Sequence, residues 1–306
     1  MAKIFDYVKN LFWLLLILQL APSLLKSIKL QYENVFESQT KVGLITIKGV
    51  LYDSTTHVRN LRKFFENNDI KAIVLKIESP GGAAGSAQAI FNEIKELKKN
   101  VSPKYVVTWI ENIAASGGYY VASAADYIVT SPGALVGSIG AYIAHPYFKD
   151  FIETYKIKYD IVKTGEYKSV GSPFVELVPA QRELLQSVTD STYQQFVNDV
   201  ASQRSKAKLS ANTKEWAEGK IFTGEQALKL GLVDKLGSQS TVMEVLKEHA
   251  PIIGKIDWVK PTSTKSVWQT LFSTEDEEES RSGLKSICNT VLHAVEERYT
   301  STGINC

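Results

Sequence analysis

Ser116 stands in the string Ala114-Ala115-Ser116-Gly117-Gly118-Tyr119-Tyr120. A nucleophilic serine works best at a sharp strand-to-helix turn. Small neighbours there let the backbone pass closely, and the N–H after the serine helps to bind an oxyanion. The N-terminus of the helix behind it favours developing negative charge. Taken alone, the string reads more simply as a helix N-cap. A second string, Ser79-Pro80-Gly81-Gly82, closes a buried-type strand. Ligand sites of open parallel sheets lie at that carboxyl edge, where bare glycine N–H groups can point at a carbonyl oxygen. An ordinary tight turn accounts for the same residues. A third string, Val136-Gly137-Ser138-Ile139-Gly140, implies close backbone approach at its glycines. Its Ser138 could hydrogen-bond a catalytic group, and a glycine-punctuated turn is the plainer account.

A serine hydroxyl needs a proton acceptor. Spacing does not exclude His145, but His145-Pro146 looks like a helix start, and a structural or exposed role suits it better. Lysine is the other candidate. A free lysine titrates at about 10.4 and needs burial away from acids to lose its proton near neutrality. Lys168 lies in the small-residue stretch Thr164-Gly165-Glu166-Tyr167-Lys168-Ser169-Val170-Gly171-Ser172-Pro173. On its own it reads as one more solvated lysine. Glu166 would raise the pKa of a nearby amine if both shared one strand face, so a turn between them, or an outward Glu166, is expected.

The elements that must position these residues show as alternating patterns. Residues 42–49, 72–77, 105–109 and 127–130 read as strands, with the third ending in the loop before Ser116. Residues 86–99 form a helix with Ala87, Ile90, Phe91, Ile94 and Leu97 on one face. Further helices are expected from Ser116 onward and over 179–204, 223–230 and 241–249. Strand and helix in alternation signify an α/β fold on a mainly parallel sheet.

The chain has 306 residues, 44% of them hydrophobic and 22% charged, with a net charge of +2. That balance gives no electrostatic case for nucleic acid. The four histidines are scattered and make no metal-ligand pattern, and the two cysteines, Cys288 and Cys306, are too few for a disulfide scaffold. No cofactor or metal is expected. Residues 10–25 carry no charge and are bracketed by Lys9 and Lys26. As a helix they span about 24 Å, and snorkelling lysines can make up the remaining bilayer thickness. A membrane anchor over 1–28 ranks ahead of a cleaved signal peptide, and a buried core helix comes last. Lys3 and Lys9 nearly balance Lys26 and Lys29, so charge does not orient it. Residues 29–41 read as a linker, 42–255 as the main domain and 256–306 as a tail. That tail holds the acidic run Glu275-Asp276-Glu277-Glu278-Glu279, which cannot bury, and one weakly amphipathic helix over 283–299.

Segments 77–82, 114–120, 137–140, 163–173 and 219–237, in this order and spacing, resemble the SppA-type signal peptide peptidases. The similarity covers roughly 42–249. It implies a crotonase/Clp-like fold of ββα units, a Ser–Lys dyad and an enclosing homo-oligomer in which neighbouring subunits can complete the dyad. Ser116 matches the nucleophile, Lys168 the general base and Ser138 the serine that orients it. The N–H groups of Gly82 and Gly117 match the oxyanion hole. Glu78 stands where the family usually has Asn. The implied substrates are hydrophobic peptides, chiefly remnant signal peptides, at a cell (inner) membrane crossed once, with the catalytic domain on the outer (periplasmic) side. A crotonase-type acyl-CoA enzyme, a Clp-type Ser–His peptidase using His145 and a non-catalytic membrane scaffold are the competing readings.

Overall fold

The computed structural model describes residues 13, 16, 18–22, 38–205 and 209–261. Most of the expected anchor, and the whole tail after 261, lie outside the described residues. Among those described, no helix is long and apolar enough to cross a membrane.

Strands β1 (Gln39–Lys48), β2 (Ile70–Ser79) and β3 (Tyr105–Ala115) form the parallel centre of the sheet. β2 is apolar on both faces because both are covered, as parallel strands require. Ile73, Leu75 and Ile77 join one core with Leu61, Phe64 and Phe65 of α1 (Thr55–Glu66) and Ile90, Phe91 and Ile94 of α2 (Ala84–Asn100). Ala72 and Val74 join the other with Val242, Val245 and Leu246 of α8 (Gln239–His249). Fully burying one such aliphatic or aromatic side chain contributes about 1.5–3 kcal/mol.

β3 is longer than its apolar run suggests. Its first half pairs with β4 (Tyr127–Thr130), and its last three residues pair with β5 (Leu135–Gly137). The polar, exposed Glu111 and Asn112 mark the end of the strand in the sequence. The backbone nevertheless stays in the sheet, because β5 takes over as hydrogen-bonding partner where β4 stops. β3 therefore delivers the chain directly to Ser116, with no intervening loop. α3 (Gly117–Ser123) follows at once.

The sheet order is β6-β5-β3-β2-β1-β8, with β4 joined to β3 and to β7 (Lys235–Leu236). Among the described strands only β6 (Ile221–Thr223) runs antiparallel, against β5. β8 (Lys255–Val259) pairs with β1 and carries the sheet past residue 255, where composition suggested its end. Between β5 and β6 the chain makes an excursion over 141–178 that contains α4 (Lys149–Thr154). That helix begins at Lys149 and not at the expected His145-Pro146; its N-cap Phe148 instead donates its N–H to the Pro173 carbonyl across the excursion. α5 (Pro179–Gln203) and α6 (Thr213–Trp216) lead back to β6. α7 (Gly224–Lys229) follows with a Thr223–Gln226 capping box. The end of α5 is fixed by Arg204, 2% exposed, whose guanidinium makes two 2.7 Å bonds to Asp234.

Candidate active site

Ser116 has φ 51° and ψ −125°, a left-handed backbone that a residue with a side chain seldom adopts. Such a residue costs about 1–3 kcal/mol and persists only where its surroundings over-determine it. Here its N–H donates to the Gly137 carbonyl at 2.8 Å, and its own carbonyl accepts from Tyr120 N–H at 2.9 Å. A strained serine between a strand and a helix has the backbone geometry of a nucleophile elbow. The residue is partly exposed, whereas α3 behind it is wholly buried.

Ser138 sits beside it for a topological reason. Ala115 and Gly137 are register partners, so Ser116 and Ser138 each take the next step out of the sheet. Ser138 has φ 52°, and its N–H donates to the Lys220 carbonyl at 2.6 Å.

The glycine loop packs against Ser116 from the β2 side. Ser79 Oγ accepts from Gly81 N–H at 3.1 Å and donates to the Gly49 carbonyl at 2.6 Å, which shapes the turn. Leu51 and Gly82 form a parallel bridge, so a β carbon at Gly82 would lie 2.3 Å from the Leu51 carbonyl oxygen. A β carbon at Gly81 would lie 2.8 Å from that of Ser116, and one at Gly117 would lie 3.4 Å from Gly82 N. The two loops thus meet backbone to backbone next to the serine. Among the described residues, neither Gly82 N–H nor Gly117 N–H donates a hydrogen bond. Two such donors beside a nucleophile can hold the oxyanion of an acyl-transfer step.

Lys168 is placed differently. It is exposed, in turns over 166–170, and among the described residues its ammonium is joined to neither Ser116 nor Ser138. Glu166 is also exposed and forms no ion pair with Lys168; its carbonyl accepts from Lys163 Nζ at 2.7 Å. The excursion that carries them displays Tyr142, Phe151, Tyr155 and Val162 to solvent, the last of these 99% exposed. Its base is closed by Phe148 N–H to the Pro173 carbonyl at 2.7 Å and by His145 Nε2 to the Ser172 carbonyl at 3.1 Å. A carbonyl only accepts, so Nε2 carries the proton in that bond. Among the described residues His145 has no bond to Ser116; its ring bonds the other end of the excursion instead.

Nothing in the sequence singles out Tyr119 and Tyr120, the two tyrosines that follow Ser116-Gly117-Gly118. Burial pushes the Tyr119 hydroxyl well above its ordinary range, and it donates to the Leu232 carbonyl at 2.6 Å. Burial and then Asp199 push Tyr120 up likewise, and Tyr120 donates to the Asp199 carboxylate. Among the described residues, no group of three or more His, Cys, Asp or Glu is placed to hold a metal ion.

The family model described as peptidase family S49 matches residues 98–252, which include Ser116, Ser138 and Lys168. A protein of Synechocystis sp., provisionally named a protease, is 35% identical over 203 residues, covering 66% of this chain and 72% of its own. Protease 4 of Haemophilus influenzae is 30% identical over 219 residues, covering 69% of this chain and 34% of its own. The chloroplastic serine protease SPPA of Arabidopsis thaliana is 32% identical over 201 residues, covering 64% and 28%. The chain thus spans only about a third of the length of the last two.

Proposed function

The chain belongs to peptidase family S49, in its SppA-type group of serine peptidases, and from that premise we propose that it is a membrane-associated endopeptidase degrading hydrophobic peptides, chiefly remnant signal peptides. Ser116 is the nucleophile and Lys168 the general base. The observation that carries this reading is the left-handed Ser116 turn beside the undonated N–H groups of Gly82 and Gly117.

The Lys168 amine, in its neutral form, takes the Ser116 proton while Oγ bonds to the scissile carbonyl carbon. The carbonyl electrons move onto oxygen, where the two N–H groups meet them. When the C–N bond breaks, Lys168 returns the proton to the leaving amine, and water then hydrolyses the ester. Ser138 orients the lysine. One donor in such a hole supplies about 3–4 kcal/mol of transition-state stabilisation.

Within one chain Lys168 has no bond to Ser116, so the reading takes Lys168 from a neighbouring subunit of a homo-oligomer. The exposed aromatic residues of the 141–178 excursion supply the contact surface. An anchor over 1–28 would hold the site at the outer (periplasmic) face of the inner membrane, near its substrates.

The test is covalent labelling of the full-length protein with a fluorophosphonate, mapped by mass spectrometry. Label on Ser116 that vanishes in Lys168→Ala supports the dyad. Mixing Ser116→Ala with Lys168→Ala subunits should restore peptide hydrolysis if the dyad forms between chains. Label on another serine, or none in a folded oligomer, defeats the proposal.

A further inference from the structure

Helix α3 is only seven residues long, too short to hold its own shape against the strained turn at its start. Something outside it must keep Ser116 in place. Tyr120, one turn on, is bonded to Ser116 through its backbone N–H at 2.9 Å. Its ring stacks on Phe196 of α5 with centroids 4.4 Å apart and leans on Phe91 of α2 at 5.0 Å. Its hydroxyl donates to Asp199 of α5. Gln88 approaches the same hydroxyl at 3.4 Å and bonds Gln195 of α5 at 2.8 Å.

A second tie leaves the same helix. The Tyr193 hydroxyl donates to the Glu218 carboxylate at 2.9 Å. Glu218 has φ 61°, and the next residue, Gly219, donates its N–H to the Ile139 carbonyl at 2.9 Å. Ile139 adjoins Ser138. α5 is therefore bonded to both strained serine turns, one through Tyr120 and the other through Glu218. It also follows directly on the excursion that carries Lys168.

We propose that Asp199 and Tyr193 are positioning residues of the reaction: through Tyr120 and Glu218 they hold the Ser116 and Ser138 turns in the geometry that catalysis needs. The proposal rests on the peptidase reading above. Neither residue touches the reacting atoms. Their loss acts by letting the elbow relax, and a small misplacement of a nucleophile costs up to about a hundredfold in rate.

The experiment measures fluorophosphonate acylation of Ser116 and peptide hydrolysis in the full-length protein. Tyr120→Phe keeps the stacked ring and removes only the hydroxyl bond; Asp199→Ala removes the acceptor. Each should slow acylation and kcat about tenfold while KM stays within about twofold. The double variant should be no slower than either single one, because both break the same bond. Asp199→Asn keeps an acceptor oxygen and should recover most of the rate. Tyr193→Phe should slow acylation more mildly. Wild-type rates in Tyr120→Phe and Asp199→Ala, whatever their thermal midpoints, overturn the proposal and leave the peptidase reading standing. Should Asp199→Ala fail to fold, Tyr120→Phe decides alone. A folded wild-type protein that never labels at Ser116 overturns both.

Discussion

Ser116 and Ser138 leave the sheet side by side from the register-paired Ala115 and Gly137, with φ 51° and 52°. Two strand ends adjacent in the sheet therefore share a positive φ at the residue that follows. The bond from Ser116 N–H to the Gly137 carbonyl at 2.8 Å locks the two turns together. A geometry shared by two neighbouring non-glycine residues is expensive, and its concentration at one sheet edge marks where the fold spends stability.

That strain can be measured. At φ 51°, glycine fits and alanine does not. Ser116→Gly and Ser116→Ala both remove the proposed nucleophile, so both should be inactive. Glycine loses about 0.4–1 kcal/mol in chain entropy but escapes a strain of about 1–3 kcal/mol. Urea unfolding should therefore find Ser116→Gly more stable than Ser116→Ala by about 1 kcal/mol. A more stable alanine variant would mean that the turn is not strained.

The Gly81-Gly82 loop, which holds one of the two proposed oxyanion donors, makes a sharper contrast. A β carbon at Gly82 would meet backbone atoms of Leu51 at 2.3 Å, and backbone cannot step aside cheaply. At Gly85, in the first turn of α2, nothing lies within 4 Å and the backbone is helical. Gly82→Ala should lower kcat by about a hundredfold or more by moving the donor. Gly85→Ala should leave kcat unchanged and add up to about 1 kcal/mol of stability. Steady-state kinetics on a peptide substrate, with thermal melts, separate the two; equal kcat values would remove Gly82 from the site.

The contrast also shows what was legible before folding. The apolar runs of β2 and the first half of β3, and the 3.6-residue stripe of α2, follow from burial, and burial is written in residue type. The glycines at 81, 82, 117 and 137 were readable as points of close backbone approach. The end of β3 was not, because Glu111 and Asn112 stay in the sheet through β5, a three-residue strand too short to show a period. α1 could have been found from the spacing of Leu61, Phe64 and Phe65. The bonds from Tyr120 to Asp199 and from Tyr193 to Glu218 join distant residues of ordinary type, and no local pattern announces them. Lys168 is the extreme case: its stretch builds no core, so nothing local shows where its amine goes.

Alkaline pH should weaken the fold through Tyr105. Burial, reinforced by Asp126 and Asp234, pushes its hydroxyl from 10.0 up to about 12. The raised value means that the folded protein keeps the proton longer than the unfolded chain does. Its contribution is complete below pH 10 and is lost as pH rises toward 12. Unfolding free energies measured between pH 9 and 12 should fall more steeply for the wild type than for Tyr105→Phe. Parallel curves would mean that Tyr105 titrates normally in the fold.

The Arg204–Asp234 pair should prove more costly to halve than to remove. Arg204 is 2% exposed and bonds Asp234 twice at 2.7 Å, and its Nε also donates to the Gly231 carbonyl at 3.1 Å. Asp234 in turn accepts from Ile128 N–H at 2.7 Å, tying α5 to β4. Asp234→Ala strands a buried guanidinium and a backbone donor, and one broken partner of such a pair costs about 3–5 kcal/mol. Replacing both, with Arg204→Met and Asp234→Leu, removes the stranded charge and should recover part of that loss in urea unfolding. The recovery should be incomplete, since the Ile128 N–H still lacks its acceptor. A double variant less stable than Asp234→Ala would show that Arg204 contributes packing along its stem beyond the charge pair.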